Sequence, residues 1–159
     1  MPDWCRFVQT IAMSDTSIPF ATPSTVVTAR TVPRSATAVA VAVRPTGSVP
    51  RSVGMSRRDL ERHGFSGKVG QVVSIPRRDA ATVIAVGVGD RPSSADLRNA
   101  AAAAVRHAQH HTHFALDLLS SSSASAADAR AVTEGALLAA YRYPGITAKP
   151  TTKPKFESL

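Results

Sequence analysis

Valine recurs at every second position in Ala36-Thr37-Ala38-Val39-Ala40-Val41-Ala42-Val43, and Pro45 and Gly47 follow. A two-residue period closed by turn residues predicts a strand. Gln71–Ile75, ended by Pro76, predicts a second strand, and Thr112–Leu118 a further one. Ala81–Gly89 is apolar almost throughout, the pattern of a strand buried on both faces. Three helix starts share one chemistry: Ser56-x-x-Asp59, Ser93-x-x-Asp96 and Ser125-x-x-Asp128. In each, the serine oxygen can accept an orphan backbone N–H, and the acid three residues on can answer it and favour the positive helix end. The first predicts a short helix over about Arg57–His63, stopped by Gly64. The second predicts the longest, about Ser94–His111, with Leu97, Ala101, Ala104, Val105 and Ala108 forming one apolar stripe. The third predicts an apolar helix running to about Tyr143, before Pro144-Gly145. The resulting order, β, short α, β, β, long α, β, long α, implies an α/β layered domain with a largely parallel sheet and flanking helices.

Residues 1–34 are rich in Ser, Thr and Pro without a clear period, and are expected to be a flexible leader with one short strand around Ser24–Thr31. The folded domain is expected over 35–145, and 146–159 reads as a linker. The 159 residues suit one domain with a real core, and a hydrophobic share of 43% is near the globular average. Aromatics make up only 5%, so Ala/Val packing is expected rather than an aromatic-lined cleft. The single cysteine, Cys5, allows no internal disulfide, which fits a reducing cytoplasm. No stretch approaches eighteen apolar residues, so no membrane partner is expected. Nineteen Lys and Arg against eleven Asp and Glu give a net charge of +8. That balance permits binding to nucleic acid, but no run reaches the five or six like charges of a basic arm, and a solvated surface is the simpler reading.

Four segments invite a chemical reading. His107-x-x-His110-His111-x-His113 is the densest group of ligand-type side chains, and His107 and His111 would share a face if the helix reached both. With no cysteine and only Asp117 as a nearby acid, they are candidates for adventitious metal only. Gly64-Phe65-Ser66-Gly67-Lys68-Val69-Gly70 departs from phosphate-loop spacing and precedes a strand, so it reads as a turn. Gly87-Val88-Gly89-Asp90, between a strand and a capped helix, is a better anion site in principle. Asp90 and Asp96 oppose it. Glu134 in its apolar helix is either a buried acid with a raised pKa or, more simply, a structural group at a cap or subunit contact. Ser120–Ser123 reads as a loop, without the base a nucleophile needs.

Three blocks, in order, resemble the N-terminal domain of the leucyl (cytosol) aminopeptidases, the M17 family. They are Leu60–Gln71, with its Gly-Phe-x-Gly-Lys-x-Gly segment; Val83–Gly89 followed by Leu97-Arg98-Asn99-Ala100-Ala101; and Thr133-Glu134-Gly135 with Tyr141-Arg142-Tyr143. The resemblance covers about residues 37–145 and implies a macro-domain-like fold. It further implies a parent enzyme that removes N-terminal amino acids from peptides and assembles as a hexamer. Two divalent metals, zinc or manganese, would sit in a catalytic domain beyond this chain. The family's Asn-Thr-Asp-Ala-Glu-Gly-Arg-Leu motif is matched only superficially by Thr133-Glu134-Gly135-Ala136, so no catalytic or cofactor-binding residue is carried over. The chain alone is expected to be inactive, its role being to pack, to assist assembly and to restrict substrate access. The alternative is a basic α/β module for nucleic acid or an ADP-ribose-like ligand. The stretch from Val43 to Ser56 is short for the family, so remodelling is expected there.

Overall fold

The computed structural model describes residues 8–13, 24–120 and 124–141. A six-stranded mixed sheet is built from β1 (Val8–Met13), β2 (Ser24–Ala29), β3 (Ala38–Val43), β4 (Val72–Ile75), β5 (Thr82–Gly87) and β6 (Phe114–Asp117), in the order β2-β1-β6-β3-β5-β4. Its helices are α1 (Arg57–Arg62), α2 (Ser94–His107) and α3 (Ala126–Ala140). At the centre β3 runs parallel to both neighbours, with Val41 opposite Ala85 on β5 and Asp117 on β6. The parallel arrangement expected from the β/α alternation occupies this centre. At the flanks β1, β2 and β4 pair antiparallel. For β4 the reason is the connection: only residues 76–81 link it to β5, and a parallel return needs a crossover of about a dozen residues or more. The stretch 1–34 contributes two strands to the sheet, β2 where one was expected and β1 where none was.

The period of two sorts the central side chains into two cores. Ala38, Ala40, Ala42, Ile84, Val86, Phe114 and Leu116 face α2 and α3. Val41, Val43, Val83 and Ala85 face the other way, where Val53, Leu60 and Phe65 close over them. That second layer is slight: a 3-10 turn at Arg51–Val53, not foreseen, and the six residues of α1. A helix so short has little stability alone. It is held by Leu60, 1% exposed, and by Ser56, whose Oγ accepts from the Asp59 N–H at 3.2 Å.

Both long helices begin with complete capping boxes. Asp96 N–H donates to Ser93 Oγ and Ser93 N–H to Asp96 Oδ2; Ser125 and Asp128 repeat the exchange. Serine hydrogen bonds hold the Asp96 carboxyl below its ordinary pKa, and the Ser125 N–H leads the same effect at Asp128, with the Ser94 and Ser125 hydroxyls adding to it. Ser94 Oγ also donates to Asp128 Oδ1 at 2.8 Å, joining the two helix starts. Small residues let the helices lie close: Ala100, Ala101 and Ala104 on α2, Ala131, Val132, Gly135 and Ala136 on α3. A Cβ on Gly135 would stand 2.2 Å from the Arg98 carbonyl oxygen. Glycine there is a requirement of helix contact.

Candidate functional site

In α/β sheets, ligands gather beyond the C-terminal ends of the parallel strands. Here that edge is Gly87-Val88-Gly89-Asp90, and its backbone donors are engaged. The Gly87 N–H donates to Gln71 O at 2.8 Å, Val88 to Val43 O at 3.2 Å and Gly89 to Gly67 O at 3.0 Å. The Thr46 hydroxyl donates to the Asp90 carboxylate. An incoming phosphate would have to break these bonds and face Asp90. The geometry gives the ADP-ribose-like alternative no free cradle at these three amides.

The glycine-rich loop 64–70 has a single organiser that sequence reading missed. Gln71 Oε1 accepts from Ser66 N–H at 2.9 Å, Ser66 Oγ at 3.0 Å and Lys68 N–H at 3.1 Å, while Nε2 donates to Gly64 O at 3.4 Å. The loop then lies backbone to backbone on β5: a Cβ on Gly87 would stand 2.0 Å from Lys68 O. Glycine spacing here serves close approach, and Lys68 points to solvent with its amide already engaged.

The histidines separate. α2 ends at His107, with Ala108 as its C-cap, so His111 lies outside the helix and the shared face expected of His107 and His111 does not form. The chain must turn there to bring Phe114 beside Ala38, and His111 N–H closes that turn on Ala108 O at 2.8 Å. His107 Nε2 instead meets Ser74 Oγ on β4 at 2.7 Å. Burial, with His110 and His107 adding to it, pulls the His111 pKa below its ordinary value. Among the described residues no three His, Cys, Asp or Glu side chains converge on a metal position.

Glu134 is half-exposed and forms the centre of an ion-pair triad. Arg98 of α2 donates to Oε2 and Arg130 to Oε1, both at 2.7 Å, and these bonds depress its pKa, Arg130 first. The raised pKa considered for a buried acid is thus overturned, and Glu134 caps no helix. It clips α3 to α2 one residue before Gly135 brings the backbones together. Leu138 and Tyr141, 72% and 57% exposed, lie at the far end of the same helix.

Taken together these features define a macro-domain-like α/β domain in which the distinctive residues shape close contacts. Residues 50–150 match the family model described as "Cytosol aminopeptidase family, N-terminal domain". The chain belongs to that family and carries its N-terminal domain. Similar solved structures include the bottromycin maturation enzyme BotP in complex with Mn, 32% identical over 76% of this chain and 27% of that one, with a TM-score of 0.58. A second structure of BotP gives 33%, 74%, 26% and 0.56 in the same order. A mutant tomato leucine aminopeptidase shares the fold with a TM-score of 0.58 at 21% identity, over 78% of this chain and 29% of that one. The chain therefore spans under a third of the proteins it resembles. No curated protein sequence gives a significant match. No helix among the described residues is long and apolar enough to cross a membrane.

Proposed function

We propose that this domain is the non-catalytic N-terminal part of a cytoplasmic leucyl aminopeptidase. In this reading it packs against the catalytic domain, helps assemble a hexamer and restricts access of peptides to the site. Zinc or manganese, held by the catalytic domain, would supply the Lewis acid for N-terminal peptide cleavage. The observation that carries the reading is the apolar end of α3. Leu138 and Tyr141 expose apolar surface on the last described helix, beside Leu137 at 36%. Exposed apolar groups in sequence on one helix end are suited to cover by a partner surface. Two measurements test it. Purified residues 1–159 with added manganese or zinc should not hydrolyse leucine anilide, and metal-dependent turnover would overturn the non-catalytic role. Leu138→Asp in the parent enzyme should reduce the assembled mass seen by light scattering. An unchanged mass and an unchanged melting temperature would remove the packing role of this surface.

A further inference from the structure

Two arginines converge on Glu134 without being used up by it. Arg98 of α2 donates to it from Nη2 and Arg130 of α3 from Nε. A guanidinium carries five N–H donors in a rigid fork, and the described residues take no other from either group. Two cations against one anion leave the cluster with a net charge of +1. The side chains of Arg98, Arg130 and Glu134 are 43%, 81% and 35% exposed, so a second surface can reach them. The shared glutamate also fixes where the two forks stand, which reduces the side-chain freedom that binding would have to remove.

From Glu134, the residues three, four and seven positions on are Leu137, Leu138 and Tyr141, so the charged cluster and the exposed apolar end of α3 lie on one face of the helix. We infer that this stripe docks a surface of the catalytic domain that presents an Asp or Glu carboxylate to Arg98 and Arg130, and apolar side chains to Leu138 and Tyr141. The inference rests on the packing role proposed for α3 and adds the chemistry that the partner brings. Arginine forks match carboxylates with two parallel bonds, and Arg and Tyr are the residue types on which interfaces concentrate their binding energy. A phosphate backbone would need cations along its length, and the last turn of α3 holds no basic residue. The same stripe of a second copy would offer the arginines only Glu134, both of whose oxygens are already taken.

The test is amide hydrogen exchange at Tyr141, whose N–H closes α3 on Leu137 O at 3.0 Å, in the parent enzyme and in the 159-residue chain. Arg98→Gln/Arg130→Gln should speed exchange at least about thirtyfold in the parent, where it strands the partner's buried carboxylate. In the chain alone it removes only exposed ion pairs, and the change should stay within about fivefold. Glu134→Gln raises the cluster from +1 to +2. It should slow exchange in the parent by strengthening attraction to the incoming carboxylate, and leave the chain within the same limit. Equal acceleration by the arginine variant in parent and chain would overturn the inference, because the triad would then serve only the contact of α2 with α3. Acceleration by Glu134→Gln in the parent would overturn it too. Leu138→Asp separates this inference from the reading it rests on. If Leu138→Asp speeds exchange in the parent and the arginine variant does not, α3 packs without a carboxylate partner and only the inference falls. If neither variant speeds it, both fall.

Discussion

Replacing Gly135 by alanine sets two opposing effects of known size against each other. On an isolated helix the change should help, because glycine costs roughly 1 kcal/mol relative to alanine in a helix interior. In this fold the added methyl would stand 2.2 Å from Arg98 O, 2.9 Å from Arg98 C and 3.0 Å from its Cα. Those atoms are backbone in the first half of α2, so they cannot rotate aside as a side chain would. Restoring ordinary contact requires α3 to move back by about 1 Å, in an interior packed as densely as an organic crystal. That movement thins the contact of Ala100 and Ala101 with Val132 and Ala136, and stretches the Arg98–Glu134 bond. Overpacking of this kind costs about 1–3 kcal/mol, and lost dispersion across the alanine contact adds to it. The net expectation for Gly135→Ala is a loss of about 1–2 kcal/mol. For a chain of this size that is a melting temperature lower by roughly 2–8 °C. Circular dichroism melts should be compared with Ala127→Gly, an exposed position in the first turn of α3 where only propensity changes. A melting temperature for Gly135→Ala equal to or above that of the parent would refute the close-contact argument.

Two further perturbations probe other parts of the fold. Gln71→Leu leaves the Ser66 and Lys68 N–H groups without their acceptor, and should cost about 1–3 kcal/mol in a urea melt; the hydrogen exchange of those two amides should rise while that of α3 stays as it was. The Asp59, Asp96, Asp128 and Glu134 carboxyls all lie below their ordinary pKa values, so they bind protons less readily folded than unfolded. Their contribution is complete well above pH 4.5 and is lost as pH falls through and below the ordinary values of 3.8 and 4.5. His111, also lowered, contributes above its ordinary value of 6.5 and loses that contribution as pH falls below it. Melting temperature against pH should therefore decline in two stages, and His111→Gln should remove the earlier one. An unaltered profile in that variant would refute the assignment.

Local chemistry made much of the framework legible. The three Ser-x-x-Asp starts are helix starts in the structure, because a cap is a bond among neighbours in sequence. The alternating valines of β3 and the apolar run of β5 likewise carry their own period. The antiparallel setting of β4 could have been found, since six linking residues are too few for a parallel return. The end of α2 could not: nothing in His107-Ala108-Gln109-His110-His111 breaks a helix, and the stop is imposed by where Phe114 must go. Gln71 and Glu134 were opaque for a related reason. The atoms that Gln71 serves occupy a fold-back loop, and Glu134 answers Arg98 from a neighbouring helix. Val8–Met13 was missed because its pairing partners, on β2 and β6, supply most of what makes it a strand.

The position of β1 has a consequence for synthesis. Its Gln9, Thr10 and Ile11 align with Leu116, Ala115 and Phe114, so this segment shares a ladder with a strand synthesised about a hundred residues after it. At roughly 5–20 residues per second, the N-terminal hairpin waits on the order of 5–20 seconds before its inner neighbour exists. Throughout that interval the strand that will adjoin β6 keeps an open edge, and a chaperone or a neighbouring nascent chain can reach it before the protein's own sheet does.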